Sequence, residues 1–267
     1  MELNILLLGH TGMLGTAFEH YFKTNNIKYL TCTKAELDLT TDGAYEKIDT
    51  IVDHEKITHV INCAGGIKSK SVSYNILDMI RLNTLVPHNL RLIVEKYDIK
   101  LINFSTDCVF DGTTGFYSTS DKYTAHDVYG MSKALGEISD SLNVLTVRTS
   151  IIGVERPGKS RSLVSWIKSQ NHINGYVNHL WSGVTTNYLA ELTMTSLLQK
   201  TGLITVACKE GISKYALVKL ICDRLDKKVV CEPTYAVENI NRILKTDVVV
   251  DTIDSQINRM VLEYGFH

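Results

Sequence analysis

The chain begins with a strand-like apolar run, Asn4–Leu8, which stops at Gly9 and passes through a glycine-rich loop into a segment of helical spacing, Gly12–Phe22. An apolar run without polar alternation reads as a strand covered on both faces, the situation inside a parallel sheet. The pattern then recurs: Lys28–Cys32, His59–Asn62, Leu101–Ser105 and Val144–Thr149 read as strands. Helical stretches at Gly43–Val52, from the third strand to about Tyr97, and at Tyr129–Ser141 separate them. Strand and helix in alternation predict an α/β fold with a doubly wound parallel sheet, because right-handed crossovers place the helices on its two faces.

The loop itself, Gly9-His10-Thr11-Gly12-Met13-Leu14-Gly15, spaces three glycines GxxGxxG between the first strand and first helix. Such a loop lets the backbone turn tightly and approach a pyrophosphate, while the helix N-terminus offers free N–H groups and partial positive charge. In that context the spacing reads as a Rossmann dinucleotide site, with Gly9, Thr11, Gly12, Met13, Leu14 and Gly15 as cofactor-binding candidates. The acidic residue expected after the second strand is absent, and Thr31-Cys32-Thr33-Lys34 stands there instead. Lacking a carboxylate for a ribose 2′-OH, and carrying Lys34 for a 2′-phosphate, the segment favours NADPH while leaving NADH open. Asp38, followed by Leu39, lies a few residues on, where it can approach an adenine or cap a turn.

A second element follows the fourth strand. Ser105-Thr106-Asp107 sits at that strand's carboxyl end, where ligands of open parallel sheets bind. Further on, Tyr129 and Lys133 stand at i and i+4, on one helix face. A phenol titrates near ~10, and a neighbouring ammonium lowers that value. Tyr129 is therefore a candidate proton donor, Lys133 its modulator and a ribose ligand, and Thr106 the hydroxyl that orients both.

After Arg148 the regular alternation loosens. Ile152–Ser160 is loop-like, Ser162–Gln170, Asn187–Leu198 and Ser213–Leu225 look helical, and Leu203–Val206 strand-like. The expected organisation is a dinucleotide-binding domain over residues 1–150 and a smaller, mainly substrate-binding lobe over 151–267, with about 186–206 returning to the sheet. A net charge of -1 gives no electrostatic support for a nucleic-acid partner. The six cysteines show neither CxxC nor Cys/His spacing, so they read as reduced residues with no disulfide framework and no metal site. No apolar stretch approaches the ~18 residues of a membrane span, and Met1–Asn4 carries no basic leader pattern, so a cytoplasmic location is expected.

Gly9–Gly15, the segment Ser105-Thr106-Asp107-Cys108-Val109-Phe110-Asp111-Gly112, Tyr129–Glu137 and Val147–Ser150 together resemble the dTDP-4-dehydrorhamnose reductase family, best over residues 1–150. The resemblance implies a Thr106/Tyr129/Lys133 triad, NADPH as hydride donor, and the C4 keto group of a nucleotide 4-keto-6-deoxysugar as acceptor. It places Cys63, Ala64 and Gly65 beside the nicotinamide, and it allows a homodimer. The resemblance departs at three places: the family's tyrosine is Cys108, Asn62–Ile67 replaces the usual run near nicotinamide and sugar, and Trp181–Thr186 differs in the substrate region. Similarity to plant-type epimerase/reductases and, less closely, GDP-fucose synthase gives that cysteine a second reading, a 3,5-epimerase/4-reductase whose proton partner would be Lys168, His172 or His179. Dehydratases of the superfamily carry Thr-Asp-Glu, which this chain lacks. A third reading is an NADP-binding regulatory subunit without turnover. Arg148, Arg156, Lys159, Arg161 and Lys168 are candidate partners of the diphosphate, of which Arg156 is taken as a substrate residue. Trp181 is a candidate stacking surface for base or sugar.

Overall fold

A computed structural model describes residues 2–67, 75–158, 162–225 and 228–264. The regular alternation produces β1 (Ile5–Leu8), α1 (Met13–Thr24), β2 (Tyr29–Thr31), α2 (Ala44–His54), β3 (His59–Asn62), α3 (Ile76–Ile80), α4 (Val86–Lys96), β4 (Lys100–Phe104), α5 (Val128–Leu135) and β5 (Val144–Arg148). The second half adds β6 (Ile151–Ile152), α6 (Leu163–Ser169), β7 (His172–Tyr176), β8 (His179–Trp181), β9 (Val184–Thr185), α7 (Thr186–Leu192) and β10 (Gly202–Thr205). It ends with β11 (Ile212–Ser213), α8 (Lys214–Cys222), β12 (Val230–Thr234), β13 (Ile240–Asn241) and α9 (Ile253–Tyr264).

Six strands form one parallel sheet in the order β10-β5-β4-β3-β1-β2. Side chains of β1 alternate between its faces, as a strand requires. Ile5 and Leu7 enter one core with α1, α7 and α9, whereas Leu6 and Leu8 enter the other with α2 and α4. All four side chains are essentially buried, which explains the unbroken apolar run. From β1 the chain goes outward to β2, then returns to β3 on the opposite side. At that reversal the carboxyl ends of β1 and β3 diverge and leave the crevice in which the glycine loop sits.

The helical stretch expected up to Tyr97 is interrupted. Between α3 and α4, Arg81–Leu85 forms a wider π-type turn. Pro87 lies at the start of α4 and has no N–H to return to the Asn83 carbonyl four residues earlier. The buried Asn83 side chain then reaches sideways, donating to Ser132 Oγ (3.1 Å) and accepting from Gly66 N (2.9 Å). The helix expected over Tyr129–Ser141 stops at Leu135. Gly136 presses directly on the freed Asn83 carbonyl, leaving no room for a side chain, and Glu137 turns inward to Arg148.

Periodicity did not announce the small strands of the second half. β7 pairs with β12, and β8 pairs with β11 and β13. They are short, and their partners lie up to about sixty residues away, so no local pattern marks them.

Candidate active site

The crevice is a cavity of about 700 Å³ running from the glycine loop across the ends of β1, β3 and β4. Gly9 (φ +74°) makes the sharp exit from β1, and a Cβ there would stand 2.5 Å from the Ala64 backbone nitrogen. Only glycine lets the two strand ends close up in this way. Thr11, Gly12, Met13 and Leu14 line the cavity with Gly9; Gly15 lies behind them, packed on the Gly9 carbonyl.

At the β2 end the cavity is lined by Cys32, Lys34, Leu37, Asp38, Leu39 and Thr40. Lys34 is 79% exposed and pairs with Asp38 at 3.5 Å. Burial works to raise the Asp38 pKa, but hydrogen bonds from Thr40 and the charge of Lys34 outweigh it and hold the carboxyl below its usual value. At the other end stand Cys63, Ala64, Gly65, Thr106, Cys108, Tyr129 and Lys133.

Two elements, β4 and α5, bring Thr106, Tyr129 and Lys133 together. Thr106 lies two residues beyond β4 and caps the turn that follows, accepting from Cys108 N (3.1 Å) and donating to Asp107 Oδ1 (3.2 Å). Asp127 caps α5 by accepting from Gly130 N (3.0 Å), which sets the face that carries Tyr129 and Lys133. Burial pushes the Tyr129 phenol above its ordinary range, with the Cys108 and Asp107 charges adding to it and a hydrogen bond with Thr106 opposing it. Burial also pulls the Lys133 ammonium down to about 8, against the opposing charges of Cys63 and Glu137. Lys133 Nζ donates to Phe104 O (3.1 Å) and lies against Gly65. A protonated phenol, a hydroxyl and an ammonium thus share the carboxyl end of β4, an arrangement able to deliver a proton to a carbonyl oxygen reduced there.

Other residues singled out in the sequence lie elsewhere. Arg156 does not line the cavity; its guanidinium donates to His10 O (3.1 Å) and Thr16 Oγ1 (3.3 Å) and pairs with Glu19, tying the loop after β6 to the phosphate loop. Trp181 is buried, and its Nε1 donates to Ser150 Oγ (2.8 Å) in the cavity wall. Arg148 is fully buried and ion-paired to Glu137 at 2.6 Å, so it has no access to a diphosphate. Lys159 and Arg161 fall outside the described residues. His172 pairs with Glu232 Oε2 (3.0 Å) and His179 lies 3.2 Å from Glu238 O. The groups acting on Cys108 are instead Asp107, Arg242 and Thr106, and burial lifts its thiol to about 11. Lys214 and Arg242, both near Cys108, carried no motif in the sequence. Among the described residues, no group of three His, Cys, Asp or Glu side chains could hold a metal, and no helix is long and apolar enough to cross a membrane.

The family described as RmlD substrate binding domain matches residues 3–247. The chain belongs to that family. A probable low-salt glycan biosynthesis reductase of Haloferax volcanii is 32% identical over 107 residues, 40% of this chain and 35% of that protein. A dTDP-4-keto-6-deoxy-D-glucose reductase of Streptomyces niveus is 27% identical over 133 residues, 49% of this chain and 45% of that protein. The matched stretches therefore span less than half the length of these curated relatives. Among solved structures, a dTDP-4-dehydrorhamnose reductase of Bacillus anthracis in complex with NADP shares the fold with a TM-score of 0.84 at 18% identity, covering 98% of this chain and 100% of that one. The corresponding figures for a dTDP-4-dehydrorhamnose reductase of Clostridium acetobutylicum are 0.82, 19%, 98% and 99%.

Proposed function

We propose that this member of the RmlD substrate binding domain family is an NADPH-dependent ketoreductase acting on the C4 keto group of a nucleotide-activated 4-keto-6-deoxysugar. The observation that carries the reading is the meeting of Thr106, Tyr129 and Lys133 at the end of β4, in the same cavity as the glycine loop. The cavity suits a dinucleotide because one continuous lining runs from Lys34 and Asp38, past the glycine loop, to Tyr129 and Lys133. Backbone N–H groups of Gly9–Leu14 would hold the pyrophosphate and Lys34 the 2′-phosphate. Asp38 and Leu39 would flank the adenine; Cys63, Ala64, Gly65 and Lys133 would flank the nicotinamide end. When bound, NADPH supplies the hydride.

Tyr129 gives its proton to the sugar oxygen, and its raised pKa keeps that proton in place until negative charge develops on the oxygen. With the sugar bound, the Thr106 hydroxyl turns from Asp107 Oδ1 to donate a second hydrogen bond to the same oxygen, and the Lys133 ammonium stabilises the phenolate left behind. Support for the substrate class comes from the Streptomyces niveus relative, which is named as a dTDP-4-keto-6-deoxy-D-glucose reductase. A panel of 4-keto-6-deoxy nucleotide sugars, followed by NADPH absorbance, tests the reading: at least one member is consumed, whereas cofactor binding without turnover on any of them favours a regulatory subunit.

Two expectations follow from single side chains. Lys34→Glu places a carboxylate against the 2′-phosphate and weakens NADP⁺ at least about tenfold more than NAD⁺; equal loss of both, measured by titration, removes Lys34 from that role. The Lys133 ammonium, with its pKa near 8, is charged below that pH and neutral above it. Reductive kcat/KM therefore falls as pH rises through about 8, and the residual activity of Lys133→Met lacks this limb. An unchanged alkaline limb in the variant assigns it to another group.

A further inference from the structure

The chain lines the cavity at Ser150, Ile151 and Glu155, and the next side chain, Arg156, turns away from it to the start of α1. Its guanidinium meets three acceptors there. Nη2 donates to His10 O (3.1 Å) and pairs with Glu19, and Nε donates to Thr16 Oγ1 (3.3 Å). The Thr16 hydroxyl in turn donates to the same His10 carbonyl (3.4 Å). Two donors, one of them charged, therefore converge on one carbonyl of the glycine loop.

The His10 carbonyl belongs to the peptide unit whose N–H is that of Thr11. In a trans peptide these two groups point in opposite directions. A carbonyl held on the Arg156 side thus turns the Thr11 N–H toward the cavity, which Thr11 lines and Arg156 does not. A charge-assisted hydrogen bond to the oxygen also polarises the amide and makes its N–H a stronger donor. The neighbouring backbone suits an anion at this point. The α1 cap, Gly12, makes no side-chain capping bond, and no acidic residue stands in the first turn. A Cβ on Gly15 would stand 2.7 Å from His10 Cα, so the His10 backbone is pressed onto the helix. Glu19 does not depend on this cation, because its carboxylate also pairs with Lys23 at 3.1 Å and accepts from Tyr29 OH at 3.3 Å. The contact that only Arg156 supplies with a full charge is the one to the loop carbonyl.

We infer that Arg156 is a positioning residue for the cofactor's pyrophosphate, acting through the His10–Thr11 peptide and touching no ligand itself. The assignment rests on the dinucleotide part of the reading above and not on the sugar. It makes the segment after β6, in the second half of the chain, a determinant of cofactor affinity.

Calorimetric titration of the full chain with NADP⁺ tests this without turnover. Arg156→Met weakens NADP⁺ by at least about tenfold, while its melting temperature stays within about 5 °C of the wild type. Arg156→Lys, which can still donate to His10 O, recovers to within about threefold. Glu19→Gln removes the ion pair, leaves the carbonyl contact, and also stays within about threefold. In amide NMR spectra of the unliganded chain the Thr11 proton moves upfield in Arg156→Met and not in Glu19→Gln, as a weakened donor does. Unchanged NADP⁺ affinity in Arg156→Met, or an equal loss in Arg156→Met and Glu19→Gln, overturns the positioning role and leaves the ketoreductase reading intact. If the wild type does not bind NADP⁺, both fall. If NADP⁺ binding follows the predicted order but no keto sugar is reduced, the positioning role stands and the ketoreductase reading falls.

Discussion

Tyr129→Phe lowers kcat for ketone reduction by about 10²–10⁴-fold, the usual worth of a positioned general acid, while NADP⁺ affinity stays within a few-fold. The asymmetry follows from geometry. Tyr129 lines the reacting end of the cavity with Thr106, whereas the pyrophosphate and 2′-phosphate candidates lie at the opposite end. Removing one oxygen takes away the proton source without disturbing the cap at Asp127 or the packing of α5. Stopped-flow reduction and equilibrium titration separate the two effects. Undiminished turnover in the variant would mean that another group is the acid.

Glu137→Leu destabilises the fold by about 3–5 kcal/mol, the typical cost of leaving one member of a buried ion pair alone. Arg148 is fully buried; its Nε and Nη2 donate to Glu137 at 3.0 and 2.6 Å, and Nη1 donates to Ser118 O at 2.9 Å. Glu137 further accepts from Ser105 Oγ and from Tyr123 OH, so the carboxylate joins α5, β5 and the strand end that bears Thr106. The double variant Glu137→Leu/Arg148→Met removes both charges and recovers much of the loss, since a buried pair contributes far less net stability than breaking it costs. Urea denaturation of the wild type and the two variants measures this directly; a loss under about 1 kcal/mol in Glu137→Leu would show that water reaches Arg148.

The sheet was legible because parallel strands buried on both faces leave unbroken apolar runs, as β1 does, and because glycine-loop spacing has a backbone reason that survives without any neighbour. Thr106, Tyr129 and Lys133 were legible for the same local reasons: a strand end and an i, i+4 pair. Contacts made across the chain were not. Arg148 reads as a candidate diphosphate partner, yet it is buried against Glu137, which the crowding at Gly136 turns inward. Arg156 reads as a phosphate ligand, yet its nearest acceptors are His10 O and Glu19, more than 130 residues away in the chain. Lys214 and Arg242 belong to no spacing rule and become neighbours only through β8, β11 and β13. Asn83 was hidden for another reason, because its role depends on a helix interrupted at Pro87.

The most direct test of the triad's role is single-turnover reduction of a 4-keto-6-deoxy nucleotide sugar with NADPH deuterated at the transferred position, read by proton NMR of the product. The account predicts one deuterium at sugar C4, with a single configuration there, and loss of that product in Tyr129→Phe. Deuterium retained on the cofactor in the wild type, despite tight binding of both ligands, would contradict it.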